Sequence, residues 1–442
     1  MTNLKDWIFG KNYGKSWIWI FLTLCISPLL PEYIAPFFIT VGYIIFVREQ
    51  KNAGIKIKLG TIGKVEFLFF GFMLISCIWS PTHIFSAAMA GLWMWMYLIQ
   101  IMLANYCTDK TKLRRAMQYF TAGSAAAGFI GFLQFTSKIF CKAVGIKSII
   151  PDPLYRYVDE FIYGIMPFAI KTRYFADRSS STYSNPNVFS TILVLAFPIA
   201  IYLLITSKTK KGKLFSLTSL AFIFLGVAST KSRVAFIALI FAMIFSLFVF
   251  DKKYVKRILV LILVGCIIIV PFILSRFKNV LTDADSLNFT TIIQTVLGGK
   301  SSNTHFKIWN ACFDYLSQNP LVILIGRGAG VENTWEILLN NYGINHPHAH
   351  NIIIETMMQV GIVGTALFIA PIFVLLKNTV QIIKQNKQNK VFALTVINSI
   401  LCFILIGMTD YLFNSPKQIM LLFFVLGIAQ AGYNIAMKNT DC

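Results

Sequence analysis

Residues 187–206 read NVFSTILVLAFPIAIYLLIT, twenty consecutive residues without a charged side chain. At 1.5 Å of rise per residue, a helix of roughly this length crosses the hydrocarbon core of a bilayer, which is about 30 Å thick. The whole chain of 442 residues has this character, because 56% of its residues are apolar and only 13% are charged. Soluble domains usually have about 25% charged residues. The composition therefore excludes a soluble globular enzyme.

Similar apolar segments recur on both sides of residues 187–206, and we expect twelve membrane spans along the chain. The first two are short and are interrupted by Pro28, Pro31 and Pro36, so they form either a kinked pair or one bent span. The predicted fold class is an all-α polytopic membrane protein with about twelve transmembrane helices and a large, partly helical outer loop. The predicted spans are residues 17–30, 36–47, 62–80, 84–105, 116–137, 187–206, 214–229, 233–250, 258–275, 351–376, 391–407 and 418–437.

The spans are predicted to form one integral membrane domain with three parts. Residues 1–275 carry spans one to nine and the outer loop 138–186, residues 276–350 form the large outer loop, and residues 351–442 carry the last three spans. The first apolar stretch runs into proline-rich sequence rather than a small-residue cleavage site, so we expect it to stay as an anchor rather than to be removed as a signal peptide.

The basic residues predict the orientation. With the N-terminus inside, the inner segments carry 25 Lys and Arg, whereas the outer segments carry 15 although they are almost twice as long. The positive-inside rule therefore puts both termini in the cytoplasm. The net charge of +22 favours nucleic acid as a partner in a soluble protein, but here basic stretches such as 109–115 and 207–213 are better read as anchors against anionic lipid.

The outer side carries the candidates for chemistry. Its two long loops, 138–186 and 276–350, exceed what a connection requires, and all five histidines fall on this side or at outer helix ends. Neither ATP nor a sugar nucleotide is available there, so a substrate must bring its own activated bond. Among the cysteines, Cys141 and Cys312 fall in outer segments, which allows one disulfide at most in these loops.

The densest group of polar residues is His346-Pro-His-Ala-His-Asn351, directly before the tenth span. The positive end of the helix dipole favours a neutral imidazole, which makes His350 a candidate general base. Asn351 either fixes that ring or caps the helix, and Glu355, an ionisable group just inside the span, either orients His350 or has another partner. A solvated loop, or a zinc or copper site built from the three histidines, is the alternative reading.

Gly361 and Gly364 follow the histidine cluster and permit close packing of the helix. The turn Gly326-Arg-Gly-Ala-Gly330 has neither the Rossmann nor the Walker spacing, so a glycine-rich turn of the outer loop is favoured over a nucleotide site.

Two arginines lie where outer-facing helices begin. Asn185 is predicted to cap the sixth span with Pro186 in its first turn, so that Arg178 lies just above it, while Arg233 opens the eighth span. Guanidinium groups suit a diphosphate, to which Lys231 would add a point charge and Arg327 a weaker third contact. The alternative is contact with lipid headgroups.

His350-Asn351, followed by Gly361-x-x-Gly364, resembles the signature of the O-antigen ligase and O-antigen polymerase superfamily, the bacterial membrane glycosyltransferases that use undecaprenyl-diphosphate-linked glycans. Its other recurring patches are similar to segments found here in the same order, although His305 and Lys307 stand where relatives often have an arginine. These segments are Arg178 with Asn185-Pro-Asn187, Ser232-Arg233, Trp309, Asn319-Pro320 and the glycines 326, 328 and 330.

The resemblance implies inverting glycan transfer at the outer face of the inner membrane without metal, nucleotide sugar or other cofactor. Arg178 and Arg233 would hold the diphosphate and His350 would take the proton from the acceptor hydroxyl. The implied partners are the lipid-linked donor, a glycan or lipid A-core acceptor, membrane lipids, and assembly proteins such as a flippase or chain-length regulator. The predicted substrate-binding residues are Lys231, Arg327, His348, Asn351 and Glu355.

The choice between a polymerase and a ligase leans slightly to a polymerase, because the Asn-Pro-Asn and Ser-Arg patches look more like those of capsule and exopolysaccharide polymerases. A flippase or secondary transporter is the alternative from another class. Transporters tend to carry charges near the bilayer midplane and paired halves with broken helices. Here Glu66 and Glu355 both lie near a span end, and the large second outer loop has no counterpart in the first half.

Overall fold

The computed structural model describes residues 14–146, 177–250, 300–385, 389–413 and 415–438, with short pieces between 149 and 158 and between 254 and 267. Every regular element in these residues is helical, which confirms the all-α class. Six of the helices are long and apolar enough to cross a membrane, so the protein is a polytopic helical membrane protein. The count of twelve spans stays a prediction, and most of the ninth, 258–275, lies outside the described residues.

The described helices follow the predicted spans closely, with three further helices in the predicted large outer loop. In chain order they are α1 (Lys15–Phe21), α2 (Ile34–Asn52), α3 (Gly60–Ser76), α4 (His83–Tyr106), α5 (Lys110–Val144), α6 (Pro186–Thr206), α7 (Lys210–Thr230), α8 (Arg233–Val249), α9 (Lys300–Gln318), α10 (Pro320–Ile325), α11 (Val331–Tyr342), α12 (Ile352–Gln385), α13 (Lys390–Gly407) and α14 (Pro416–Lys438).

The two short N-terminal segments that were predicted to be spans fold as the kinked pair. Helix α1 continues into one π-helical turn, Leu22–Ile26, and a 3₁₀ turn, Ser27–Leu29, before α2 begins at Ile34. Pro28 has no backbone N–H to donate and Pro31 follows in the connection, so a regular α-helix cannot pass through this stretch. The chain folds back here, and α2 packs against α1.

Helices α6 and α14 form the centre of the bundle. The most apolar part of each is 83% buried, against 39% for α12, whose outer surface is open to lipid. Helix α6 packs against α5, α7, α8 and α13, and α14 packs against α4. Surrounding helices expose large apolar side chains such as Phe248 and Phe373, as expected of a bundle whose solvent is hydrocarbon.

The described part of the predicted large outer loop is helical and covers the start of α12. Helices α9 and α11 share a small apolar core with α12, in which Ile308, Cys312 and Leu338 contact Ile354 and Met358. This core fixes the loop helices against the residues that precede α12. The thiols of Cys312 and Cys141 are both buried and free, so the structure does not contain the disulfide that the sequence allowed.

Gly361 breaks α12 two and a half turns from its start. Its φ of 64° and ψ of −171° lie outside the helical region and release the carbonyls of the preceding turn. The Met358 carbonyl accepts from the Arg327 N–H at 2.9 Å, and the Gln359 carbonyl accepts from Gly328 at 2.8 Å. The glycine-rich turn is therefore a backbone clamp that joins the loop helices to α12. Gly361 permits the close packing predicted from the sequence, because the backbone of Leu324 lies where a side chain would be.

Gly361→Ala is expected to destabilise the protein by about 1–3 kcal/mol, because the backbone conformation there disfavours a side chain. In addition, a Cβ at this position would lie 2.4 Å from the backbone of Leu324. Thermal unfolding of the purified protein measures the effect. Gly71→Ala is the control, since a Cβ at Gly71 in α3 meets nothing within 4 Å. Equal unfolding midpoints for the two variants would contradict the clamp.

Candidate active site

His350 lies just before the first residue of α12, where two features set the direction of its ring. Its φ of 51° puts the backbone in the left-handed region, and its N–H donates to Nδ1 of His348 at 3.2 Å. The next residue, Asn351, caps the helix, because its Oδ1 accepts from the N–H groups of Ile353 and Ile354 at 2.9 and 3.1 Å. Of the two roles predicted for Asn351, the cap is the one observed.

The ring of His350 is paired with a carboxylate, that of Asp410. Nδ1 of His350 lies 3.1 Å from Oδ1 of Asp410, which comes from the loop between α13 and α14. Burial alone would raise the pKa of Asp410, but the hydrogen bond and charge of His350, with the charge of His348 and the bond from Asn187, hold that pKa well below its ordinary value. An ionised carboxylate only accepts hydrogen bonds, so Nδ1 of His350 carries the proton and Nε2 is the basic nitrogen.

A chain of hydrogen bonds runs from this pair to Arg178. The Asn187 amide donates from Nδ2 to Oδ2 of Asp410 at 3.2 Å, and its Oδ1 accepts from Nη2 of Arg178 at 2.7 Å. Asn187 is held in place by the predicted cap, since Oδ1 of Asn185 accepts from its N–H at 2.9 Å. Residues far apart in sequence therefore form one connected group: Arg178, Asn187, Asp410 and His350.

The second arginine reaches the same place through the turn between α7 and α8. Nε of Arg178 donates to the carbonyl of Thr230 at 2.7 Å, and the Ser179 N–H donates to the carbonyl of Ser229 at 3.0 Å. Lys231 and Arg233 follow in this turn, and the charge of Arg233 is close enough to lower the pKa of His305. Arg178 and Arg233 thus lie in the same region as the histidines, whereas Nζ of Lys231 lies over the ring of Phe135, 5.4 Å from its centre.

His305 of α9 stacks on the catalytic candidate. Its ring lies 4.6 Å from that of His350 with an angle of 13° between the planes. His346 lies on another side, with Nδ1 3.4 Å from Nε2 of His350. The His350 ring is therefore bounded by other imidazoles as well as by Asp410, and 20% of its side chain stays exposed.

Glu355 and Trp309 act on the backbone beside His350 rather than on its ring. Glu355 is fully buried in α12 and accepts from the Ala349 N–H at 2.7 Å and from the Thr334 hydroxyl at 2.8 Å. Nε1 of Trp309 donates to the Ala349 carbonyl at 2.8 Å. Both the N–H and the carbonyl of Ala349 are thereby hydrogen-bonded, which fixes the backbone between His348 and His350.

Backbone strain in the described chain is concentrated at this site. Apart from glycines, the described residues with positive φ are Ser181, Lys231 and His350. Such conformations cost of order 1–3 kcal/mol each and persist only when the surroundings impose them. Ser181 belongs to the buried loop after Arg178, where its carbonyl accepts from Gln134, so all three residues border the connected group.

The structure thus brings together most of the residues that the sequence singled out. Within the described residues, no hydrogen bond or ion pair joins Arg327 to this group; its N–H is bonded to Met358 in the clamp. Asp410 and Asn187 were not predicted as site residues. A signal for Asp410 exists in the sequence, since it is an isolated acid between two apolar spans on the predicted side of all five histidines.

The described residues also contain a group with the donor atoms of a metal site. His348, His350 and Asp410 each offer one ligand atom, and these atoms lie within 4.8 Å of one another. This set differs from the three-histidine site considered from the sequence, because the carboxylate replaces His346.

Residues 218–369 match the family model of the O-antigen ligases. The match confirms the predicted resemblance to the O-antigen ligase and polymerase superfamily. It includes Arg233 and His350, whereas Arg178, Asn187 and Asp410 lie outside it. No curated protein matches the chain. Together with the apolar helices, the match indicates a membrane enzyme of glycosyltransferase type that serves O-antigen assembly.

His305 is expected to make the folded protein sensitive to acid. Burial, followed by the charge of His350 and its neighbours, lowers the pKa of His305 to about 4. In the unfolded chain it is about 6.5, so between these values the unfolded state binds more protons and the folded state gains stability as pH rises. Between pH 7 and pH 5 the unfolding midpoint should fall, and His305→Phe should reduce that fall.

Thermal unfolding at the two pH values makes this measurement. The matched control is His83→Phe, which replaces an exposed histidine bonded to the carbonyl of Cys77 and should keep the pH dependence of the original chain. The explanation fails if the two variants lose stability equally on acidification.

Proposed function

We propose that this protein transfers a glycan from an undecaprenyl-diphosphate carrier to a sugar hydroxyl at the outer face of the bacterial inner membrane. The observation that carries the proposal is the connected group in which the His350–Asp410 pair is joined through Asn187 to Arg178. A base and a phosphate-binding cation in one network are the two elements that such a transfer requires.

The base in this proposal is Nε2 of His350. It accepts the proton of the acceptor hydroxyl as the oxygen attacks the anomeric carbon of the donor glycan. Asp410 holds the proton on Nδ1 and stabilises the imidazolium that forms, because its buried carboxylate stays ionised. His346, now 3.4 Å from Nε2, has to yield this position to the acceptor.

Arg178 and Arg233 bind the diphosphate, which leaves as the bond between the anomeric carbon and the phosphate oxygen breaks. Guanidinium groups match phosphate oxygens with paired hydrogen bonds, and Lys231 adds a point charge beside them. One displacement inverts the anomeric centre, and the imidazolium then returns its proton to solvent. The leaving group is already good, so this mechanism uses neither nucleotide nor metal.

The topology proposed for this activity is the twelve-span plan with both termini in the cytoplasm. It puts the connected group on the outer face, where lipid-linked glycans are presented after export. Among related activities we slightly favour a polymerase over a ligase, because the patches Asn185-Pro-Asn187 and Ser232-Arg233 look more like those of capsule and exopolysaccharide polymerases. The acceptor is then a second lipid-linked glycan, and a flippase and a chain-length regulator are the expected assembly partners.

Transfer is expected when the purified protein receives a synthetic polyprenyl-diphosphate oligosaccharide in the absence of nucleotide. Growth of the glycan without any added acceptor indicates a polymerase, whereas growth that depends on a lipid A-core acceptor indicates a ligase. His350→Ala should abolish transfer, and Asp410→Asn should slow it by about 10²–10⁴-fold, since the asparagine no longer holds an imidazolium. Mass spectrometry of the lipid-linked products gives the rates.

His83→Ala, which removes a histidine outside the connected group, is the control and should keep full activity. Unfolding midpoints of all variants establish that they fold. Unchanged substrate in every reaction would refute the enzyme and favour the transporter, and activity retained by a folded His350→Ala would remove this residue as the base.

Arg178→Lys is expected to raise the KM for the lipid-linked donor and to lower kcat, because lysine keeps the charge but loses the forked donor that reaches Thr230 and Asn187 together. Arg114→Lys is the matched control. Arg114 also donates to a carbonyl, that of Leu203, and to a side chain, Thr206, but at the predicted inner end of α6. Equal kinetic effects of the two substitutions would contradict a clamp at Arg178.

A further inference from the structure

The histidine cluster has the donor geometry of a site for a transition-metal ion. Nδ1 of His350 lies 3.1 Å, and Nε2 of His348 4.0 Å, from Oδ1 of Asp410. A tetrahedral ion bound at about 2.0–2.1 Å needs donors about 3.3 Å apart. All three donors lie within 4.8 Å of one another, so changes of up to about 1.5 Å in their separations would be enough to enclose an ion.

The groups behind these donors are already in place. Nδ2 of Asn187 donates to the second carboxylate oxygen of Asp410 at 3.2 Å, and Nδ1 of His346 lies 3.4 Å from Nε2 of His350. Partners of this kind fix the orientation of metal ligands and raise their basicity. One contact is lost on binding: when Nε2 of His348 binds the ion its proton moves to Nδ1, and a protonated Nδ1 can no longer accept from the His350 N–H, now 3.2 Å away.

The donor set selects the class of ion. Two imidazoles and one carboxylate suit Zn²⁺ and its neighbours such as Co²⁺, whereas Mg²⁺ and Ca²⁺ require mostly oxygen ligands. The His350 side chain is 20% exposed, so water can fill the fourth position of such an ion. Three protein ligands with one open position is a common arrangement for zinc.

We propose that His348, His350 and Asp410 bind a Zn²⁺-class ion reversibly, and that the bound ion inhibits the enzyme. The inhibition, unlike the binding, rests on the proposed function. An ion on Nδ1 of His350 displaces the proton shared with Asp410, and this single proton of the neutral ring moves to Nε2. The nitrogen that would accept the hydroxyl proton is then already protonated, so the ion is an inhibitor rather than a cofactor.

Metal binding is tested without reference to activity. The full chain, purified in detergent through an affinity tag that contains no histidine, is titrated with ZnCl₂ by calorimetry and with CoCl₂ by visible absorption. We expect one ion per chain and the absorption bands of four-coordinate Co²⁺. His348→Ala and Asp410→Asn should each weaken binding at least tenfold, a conservative figure because loss of an outer partner alone costs about 10–100-fold.

His83→Ala is the matched control, since it removes a histidine that is not part of the cluster. Its affinity should equal that of the original chain. Absence of binding, or folded His348→Ala and Asp410→Asn proteins that bind the ion as tightly as His83→Ala, would overturn the site.

The second arm measures transfer with and without Zn²⁺. The expected result is a fall of at least tenfold at saturating Zn²⁺ that EDTA reverses, with the same metal dependence in His83→Ala. Full transfer by the zinc-loaded protein, or transfer that EDTA abolishes and Zn²⁺ restores, would overturn inhibition. If the protein transfers no glycan under any condition but binds the ion at the three residues, the proposed function fails while the metal site stands.

Discussion

The contact between Nδ1 of His350 and the buried carboxylate of Asp410 determines the arrangement of the rest of the site. A carboxylate away from water is costly unless it is bonded, and leaving a buried polar group without its partner typically costs about 1–3 kcal/mol. The start of α12 and the loop between α13 and α14 are therefore held in one relation to each other. Asn187 extends the constraint to α6, and through Arg178 to the turn between α7 and α8.

The fold supplies this contact by fixing the backbone around His350 from several sides. The cap at Asn351, the buried carboxylate of Glu355 and the indole of Trp309 each bond main-chain groups next to the ring. Farther into α12, the break at Gly361 lets the glycine-rich turn hold the loop helices against the same element. The bundle thus provides the frame, and the candidate site lies at one end of it.

Much of this arrangement could be predicted from the sequence, because local rules govern it. Hydropathy predicted the apolar helices, and the Asn185-Pro-Asn187 pattern predicted the cap of α6. The position of His350 before an apolar span indicated the candidate base. The partners of His350 could not be predicted, since Asp410 is sixty residues away and its place depends on how α12 packs against α13. For the same reason the sequence left the partner of Glu355 open, and the fully buried contacts with Thr334 and Ala349 appear only in the folded chain.

The transfer rates of Asp410→Asn and Asp410→Glu test the central claim, that His350 and Asp410 act together as the base. Asparagine keeps the shape of the side chain but cannot stabilise an imidazolium, whereas glutamate restores a carboxylate. Once unfolding midpoints establish that both variants fold, Asp410→Asn should transfer about 10²–10⁴-fold more slowly than the original chain, and Asp410→Glu should recover part of that loss. Transfer by a folded Asp410→Asn protein at the original rate would contradict the pairing, and would leave Asp410 with a purely structural role.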